Sequence, residues 1–125
     1  MKLITGGTAQ GKTTFAATIC KNILNGADAD IIYPEYPAGY DCTDDCHILV
    51  RRLIEAGIDP VEYFRGYAAA CPDMVYVFAE VGCGILPLDR KEREYREAVG
   101  RTGCLIAERS DEVYRLICGQ AQRIK

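Results

Sequence analysis

Residues 3–14 read LITGGTAQGKTT, and this stretch decides the fold class. A short apolar run leads into a glycine-rich segment, and a lysine and two threonines follow it. Residues 6–13 satisfy the pattern G-x-x-x-x-G-K-[ST], which belongs between a strand and a helix. We call residues 6–14 the glycine-rich loop. The pattern predicts a strand at Lys2–Thr5 and a helix that begins at Lys12.

The residue types of the glycine-rich loop suit a bound polyphosphate. Glycines let the backbone N–H groups point at phosphate oxygens, and the following helix adds the positive end of its dipole. We predict that Lys12 contacts the β- and γ-phosphates and acts in catalysis, and that the Thr13 hydroxyl binds Mg²⁺. The predicted nucleotide-binding residues are Gly6, Gly7, Thr8, Ala9, Gln10, Gly11, Lys12, Thr13 and Thr14. The choice between GTP and ATP stays open, because the sequence has no N-K-x-D motif for base recognition.

The remaining pattern alternates between strands and helices. Apolar periodicity and capping signals predict four helices, Lys12–Leu24, Asp45–Ala56, Pro60–Ala70 and Arg90–Arg109. Short apolar runs predict further strands at Asp30–Tyr33, within Gly39–Thr43, at Met74–Ala79 and at Asp111–Cys118. This order predicts an α/β fold of three layers with a mainly parallel sheet, P-loop NTPase-like, as a single domain over residues 1–125.

A nucleotide site also needs an acidic partner for the metal ion at the end of another strand. Glu80 follows the clearest strand, where ligands bind in open α/β sheets, and we predict a catalytic or metal-binding role for it. Asp41, Asp44 and Asp45 are the other candidates for the metal ligand. Of these, we retain Asp44 as a predicted metal ligand in addition to Glu80. At least one of Asp44 and Asp45 is instead expected to cap the helix that follows.

Composition limits the binding partners and the cellular compartment that we expect for the protein. The net charge of −3 argues against a nucleic-acid partner and against a membrane surface, both of which favour basic proteins. The cysteine count is 7, which is odd, and no C-x-x-C pair occurs, so we expect reduced thiols and a cytoplasmic location. Cys42, Cys46 and His47 lie close together in sequence, but their spacing fits no standard zinc pattern.

The chain resembles the CobU-type adenosylcobinamide kinase / adenosylcobinamide-phosphate guanylyltransferase family. The resemblance rests on LITGGTAQGKTTFA at the start and on a series of features in the second half. These are Glu80-Val81-Gly82, Gly84-Ile85, Pro87, Arg93, YREAVGR, Ser110–Val113, Gly119 and Ile124-Lys125.

The resemblance implies transfer of a γ-phosphoryl group to adenosylcobinamide, with Mg²⁺, and assembly as a homo-oligomer, a trimer. It also implies guanylyl transfer through a histidine, but the sequence departs from the family here. The midsection that carries that histidine is missing, and His47, the one histidine present, lies at the start of an amphipathic helix. Two interpretations of His47 are therefore open. It is either a catalytic residue that carries the guanylyl group or a structural side chain, and we favour the structural role.

Two further questions stay open from the sequence. Arg51 and Arg52 are either phosphate or corrinoid contacts or solvated surface residues. The chain as a whole is a corrinoid kinase, a reduced paralogue that binds nucleotide without catalysis, or an unrelated small-molecule kinase with a phosphate loop. A usable acid opposite the glycine-rich loop favours catalysis over binding alone.

Overall fold

The computed structural model describes residues 1–81 and 89–125. The predicted features Gly82, Gly84, Ile85 and Pro87 lie outside the described residues. The helices are α1 Lys12–Ile19, α2 Cys46–Glu55, α3 Pro60–Ala70 and α4 Arg90–Arg109. The strands are β1 Lys2–Gly6, β2 Ile23–Asn25, β3 Cys42–Asp44, β4 Val75–Ala79, β5 Glu112–Ile117 and β6 Gln120–Arg123.

The described strands form one sheet in the order β2-β3-β4-β1-β5-β6. Every pairing is parallel except that of β5 with β6, which is antiparallel. The predicted α/β fold with a mainly parallel sheet is thus confirmed. Because β1 lies between β4 and β5, the loop that follows it opens at the carboxyl edge of the sheet, where such folds bind ligands.

Helices cover both faces of the sheet and give the three predicted layers. Along β4 the side chains alternate, so that Tyr76 and Phe78 join the core under α2, α3 and α4, while Val75 and Val77 join the core under α1. All of β4 is buried, as expected for a central parallel strand. The core on the first face is rich in aromatic residues, and Phe64, Tyr67 and Tyr76 lie within ring-contact distance of one another.

Local sequence signals predicted the later helices well. Helix α3 begins at Pro60, and the Asp59 carboxylate accepts a hydrogen bond from the Val61 N–H as an N-cap. Helix α4 has the predicted bounds, and Asp89 caps it through the Lys91 N–H. No helix in the described ranges combines the length and the hydropathy that a membrane span requires. No disulfide joins the cysteines that the structure describes.

The predicted helix over residues 12–24 is wrong beyond Ile19. The carboxylate of Asp41 accepts hydrogen bonds from the Lys21 and Asn22 N–H groups, both at 2.8 Å, and these bonds turn the chain out of the helix. Residues 23–25 then form β2 and pair in parallel with β3. Pairing with β3, which lies 19 residues further along the chain as in the pair Ile23–Cys42, outweighs the local helical periodicity.

The predicted strand Asp30–Tyr33 is wrong, and besides β2 a further strand was missed. The position next to β3 is taken by β2 instead, and Ile32 and Tyr33 are exposed rather than buried as strand residues. The missed strand is β6, whose residues QAQR are all exposed and lack any apolar alternation. It forms because the two-residue turn Cys118-Gly119 folds it back on β5.

Candidate functional site

The glycine-rich loop and the beginning of α2 enclose a cavity of about 430 Å³. The cavity lies at the carboxyl edge of the sheet, between the ends of β1, β3 and β4. The lining residues are Thr8, Ala9, Gln10, Gly11, Lys12, Thr13, Thr14, Asp45, His47 and Ala79. The structure therefore brings His47 together with most of the loop residues that the sequence predicts for nucleotide binding.

Two glycines are required by the path of the loop. A Cβ atom at Gly6 would lie 2.8 Å from the Leu116 carbonyl oxygen, so β1 approaches β5 too closely for a side chain. Gly11 has a φ of +92°, in the left-handed region that glycine adopts without steric cost. Lys12 crosses the loop, and its Nζ donates a hydrogen bond of 2.6 Å to the Gly7 carbonyl oxygen. The lysine ammonium is thus held above the loop.

Helices α1 and α2 both begin at this cavity without a side-chain cap. Gly11 has no side chain to cap α1, and the carboxylate of Asp45, at the N-cap position of α2, accepts no hydrogen bond from the helix. By contrast, α3 and α4 begin elsewhere and are each capped by an aspartate. The expectation that Asp44 or Asp45 caps α2 is wrong, because Asn25 Nδ2 donates to Asp45 at 2.9 Å and Asp44 accepts from the Asp45 N–H. Two uncapped N-termini at one cavity favour an anion there.

Asp44 lies directly against the loop. The Thr13 hydroxyl donates a hydrogen bond of 2.7 Å to Asp44 Oδ2, and Asp44 is only 4% exposed. The carboxylate is placed there because β3 ends at Asp44, two strands from β1 in the sheet. A hydroxyl and a carboxylate at this distance are neighbouring oxygen ligands of the kind that Mg²⁺ prefers.

The side chain of Glu80 has a different partner from that of Asp44. Its backbone N–H donates to the Gly6 carbonyl oxygen at 2.8 Å, so its main chain lies beside the start of the loop. Its carboxylate, however, accepts two hydrogen bonds from Arg115 of β5, at 2.8 Å from Nε and 3.2 Å from Nη2. A bidentate guanidinium pair neutralises a carboxylate and fixes its orientation. Asp44 is therefore the acid that contacts the loop side chains, and Glu80 is the acid that contacts Arg115.

His47 is half-buried on the first turn of α2. Its Nδ1 accepts a hydrogen bond of 3.4 Å from the Ala79 N–H. This N–H points to the β3 side of β4, but β3 ends before it reaches Ala79, so the group has no strand partner there. This contact assigns the proton of the neutral ring to Nε2. Burial lowers the pKa of His47 and Lys12 lowers it further, while the Asp45 carboxylate opposes the shift. At neutral pH the ring is uncharged, as suits a structural side chain at the edge of the cavity.

Three other candidates lie away from the cavity. Asp41 is at the amino end of β3, on the opposite edge of the sheet, where hydrogen bonds from the Lys21 and Asn22 N–H groups lower its pKa. The guanidinium of Arg51 stacks on the Tyr95 ring at 3.8 Å and pairs with Glu92. Arg52 donates to the Gly26 carbonyl oxygen at 2.7 Å. All three have structural partners, and none lines the cavity.

Asn25 and Arg115 were missed by the sequence analysis, although they hold two of the predicted acids. Neither residue is among the predicted site residues. Each partner is distant in sequence, 20 residues for Asn25 with Asp45 and 35 for Arg115 with Glu80. No local pattern signals such pairs, because they depend on which strands become neighbours.

Comparison with known proteins finds relatives of the second half of the chain. Residues 55–124 match the family model described as cobinamide kinase / cobinamide phosphate guanyltransferase. Over 68 residues the chain is 34% identical to the bifunctional adenosylcobalamin biosynthesis protein CobU of Salmonella typhimurium. That alignment covers 54% of this chain and 38% of the relative's length. The matched residues include α3, β4, α4, β5 and β6, and they begin after the glycine-rich loop.

Proposed function

The chain belongs to the cobinamide kinase / cobinamide phosphate guanyltransferase family, and from this premise we propose that it is a phosphotransferase. The reaction transfers the γ-phosphoryl group of GTP or ATP to the alcohol of a corrinoid, adenosylcobinamide. The observation that carries the proposal is the convergence of Lys12, the uncapped starts of α1 and α2, and the Thr13–Asp44 pair on one cavity. Membership of the family argues against the alternative of an unrelated small-molecule kinase.

The triphosphate is bound by backbone and ammonium groups of the glycine-rich loop. The free N–H groups at the start of α1 donate to phosphate oxygens, and the helix dipole stabilises the negative charge. Lys12 carries three N–H donors, so it can keep its bond to the Gly7 carbonyl oxygen and still donate to the β- and γ-phosphates. Contacts of this kind stabilise the charge that spreads over the transferred group, which is the main source of catalysis in phosphoryl transfer.

Thr13 and Asp44 fit a magnesium ion. Both supply hard oxygen atoms, 2.7 Å apart, beside the predicted phosphate position. Within the described ranges no group of three or more His, Cys, Asp or Glu side chains is arranged to hold a metal. This agrees with Mg²⁺, which takes one or two carboxylates and completes its shell with phosphate oxygens and water. When bound, the ion would supply positive charge that stabilises the phosphate oxygens. We assign Asp44 rather than Glu80 to this role.

In the transfer itself the alcohol oxygen forms a bond to the γ-phosphorus as the bond to the bridging oxygen breaks. The nucleoside diphosphate leaves, and the alcohol proton passes to solvent. The loop residues hold the γ-phosphate in place for this in-line displacement, while Lys12 stabilises the charge on the leaving diphosphate.

Guanylyl transfer through His47 is the second candidate function. It is favoured by one observation, that His47 lines the same cavity as the loop. The hydrogen bond to the Ala79 N–H weighs against it, because it occupies the Nδ1 lone pair and leaves the proton on Nε2. An attacking imidazole needs a free lone pair, so His47 must first break this bond. We therefore rank phosphoryl transfer above guanylyl transfer.

The first experiment separates catalysis from binding alone. Titration calorimetry with Mg-GTP and Mg-ATP measures binding, and transfer of label from [γ-³²P]GTP or [γ-³²P]ATP to adenosylcobinamide measures the kinase reaction. We expect binding and transfer. Binding without transfer indicates the reduced paralogue, and no binding at millimolar nucleotide contradicts the proposal.

A second labelling experiment addresses His47. Incubation with [α-³²P]GTP gives an acid-labile protein adduct if a histidine or lysine nitrogen is guanylylated, and the His47→Gln variant shows whether that nitrogen belongs to His47. We expect no adduct, with a matched His47→Gln sample as the background. Label in the wild type that is lost in His47→Gln contradicts our ranking and establishes the second candidate.

A further inference from the structure

The turn between β5 and β6 touches the glycine-rich loop without lining the cavity. Cys118 and Gly119 form this turn, and their φ angles of +49° and +76° are those of the tight type I′ hairpin. Both of their backbone N–H groups donate to Gln10. The Cys118 N–H bonds to Oε1 at 2.6 Å, and the Gly119 N–H bonds to the Gln10 carbonyl oxygen at 3.0 Å. One residue of the loop thus satisfies both donors of the turn.

The loop and the turn also lie in close contact next to these bonds. A Cβ atom placed on Gly11 would lie 3.3 Å from the Gly119 Cα, so the two backbones meet at a pair of glycines. Gly11 is the last residue before α1 and determines where Lys12 and Thr13 begin. Gln10 immediately precedes it. A shift of the turn relative to Gln10 therefore moves the residues that carry the ammonium and the hydroxyl.

We propose that Gln10 is a positioning residue, whose side-chain amide ties the glycine-rich loop to the β5–β6 turn and so sets the affinity of the loop for a triphosphate. The inference rests on the proposed function, since it concerns how well the same loop binds nucleotide. It adds a role for the hairpin, which does not itself line the cavity, and for a loop position whose side chain the motif leaves unspecified. Binding at the loop and order at the turn are coupled in both directions.

Three variants test the hydrogen bond between the Gln10 side chain and the turn. Gln10→Met keeps the length of the side chain and removes the acceptor for the Cys118 N–H. Gln10→Glu keeps an acceptor oxygen at the same place. Gln122→Met is the matched control, because Gln122 is an exposed glutamine of the same hairpin that pairs with Arg115 through the backbone. The two measurements are amide hydrogen exchange at Cys118 by NMR and the affinity for Mg-ATP and Mg-GTP by calorimetry.

We expect Gln10→Met to accelerate exchange at Cys118 and to weaken triphosphate affinity about three- to tenfold, the range for one neutral hydrogen bond. Gln10→Glu is expected to keep the slow exchange, and Gln122→Met to keep both properties. In the wild type, nucleotide slows exchange at Cys118 further, and this protection is lost in Gln10→Met. A purely structural role for Gln10 would not make Cys118 exchange respond to nucleotide.

Two results overturn the inference alone. The first is wild-type affinity in Gln10→Met, within twofold, for a triphosphate that the wild type binds. The second is weaker binding without faster exchange at Cys118, which assigns the loss to a direct contact of the side chain with phosphate. Absence of triphosphate binding in the wild type overturns the proposed function and this inference together, so the two failures are distinguished by the wild-type titration.

Discussion

All of the cavity-lining residues except Ala79 come from residues 8–47, whereas the match to the family begins at residue 55. The first region holds the loop and the Thr13–Asp44 pair. The second holds α3, β4, α4 and β5, whose side chains form much of the core. The match to the family model therefore lies in the second region, whereas the proposed chemistry lies in the loop and at strand ends of the first, so that match alone does not carry the activity.

The largest expected effect comes from removing the ammonium group of the first region. Lys12→Met removes a charge-assisted contact to phosphate and is expected to weaken Mg-ATP and Mg-GTP binding about ten- to a hundredfold. Lys91→Met is the control from the second region, since Lys91 is exposed on the first turn of α4. Calorimetry measures both. Equal affinities in the two variants contradict the role assigned to Lys12.

The two predicted acids give the next test. Asp44→Asn leaves an oxygen beside the Thr13 hydroxyl but removes the charge, so we expect about a tenfold loss of nucleotide affinity in Mg²⁺ and little change in EDTA. Glu80→Gln makes the same chemical change at the acid that Arg115 holds, and we expect less than a twofold effect. If Glu80→Gln abolishes the magnesium dependence instead, the metal partner lies in the second region and the contrast between the regions fails.

A buried hydrogen bond between side chains of the two regions can be tested through its effect on stability. Tyr67 of α3 and Thr43 of β3 share a bond of 2.9 Å. Tyr67→Phe is expected to lower the free energy of unfolding by about 1 kcal/mol. Tyr76→Phe is the comparison, because the buried Tyr76 hydroxyl has no hydrogen-bond partner among the described residues, and its removal is expected to raise the free energy of unfolding by up to about 1 kcal/mol. Urea unfolding of both variants tests the difference in sign.

The smallest effect concerns pH. Burial lowers the pKa of His47 in the folded state, so as the pH falls the unfolded state takes up its proton first. The stability contributed by His47 is full above its unfolded pKa of about 6.5 and is lost as the pH falls from there through the lower folded pKa. Lys12 and Arg51 add to the shift, while Asp44 and Asp45 oppose it.

The measurement is urea unfolding from pH 8 to pH 5.5 in the wild type and in His47→Gln. We expect a steeper loss of stability toward acid in the wild type, because the glutamine does not titrate. Parallel pH profiles would show that His47 has the same proton affinity in the folded and unfolded states.

The sequence predicted the elements whose signals are local. Asp59-Pro60 predicted the start of α3 because a carboxylate N-cap followed by proline acts within one turn. The apolar run at residues 74–79 predicted β4, and the glycine pattern predicted the loop between β1 and α1. The sequence prediction failed from Cys20 onward, where Asp41, a residue 21 positions away, ends the helix. It also failed at β2 and at residues 30–33, which form no strand.

Sequence patterns were sufficient for the fold class, the position of the glycine-rich loop and the acids at the ends of β3 and β4. The contact of Asp44 with Thr13, the pairing of Glu80 with Arg115 and the bond of His47 to the Ala79 N–H became visible only in three dimensions. Side-chain periodicity and capping act over a few residues, whereas these contacts span 31 to 35 residues and depend on strand order. Strand order follows from the packing of whole faces, which no short pattern records.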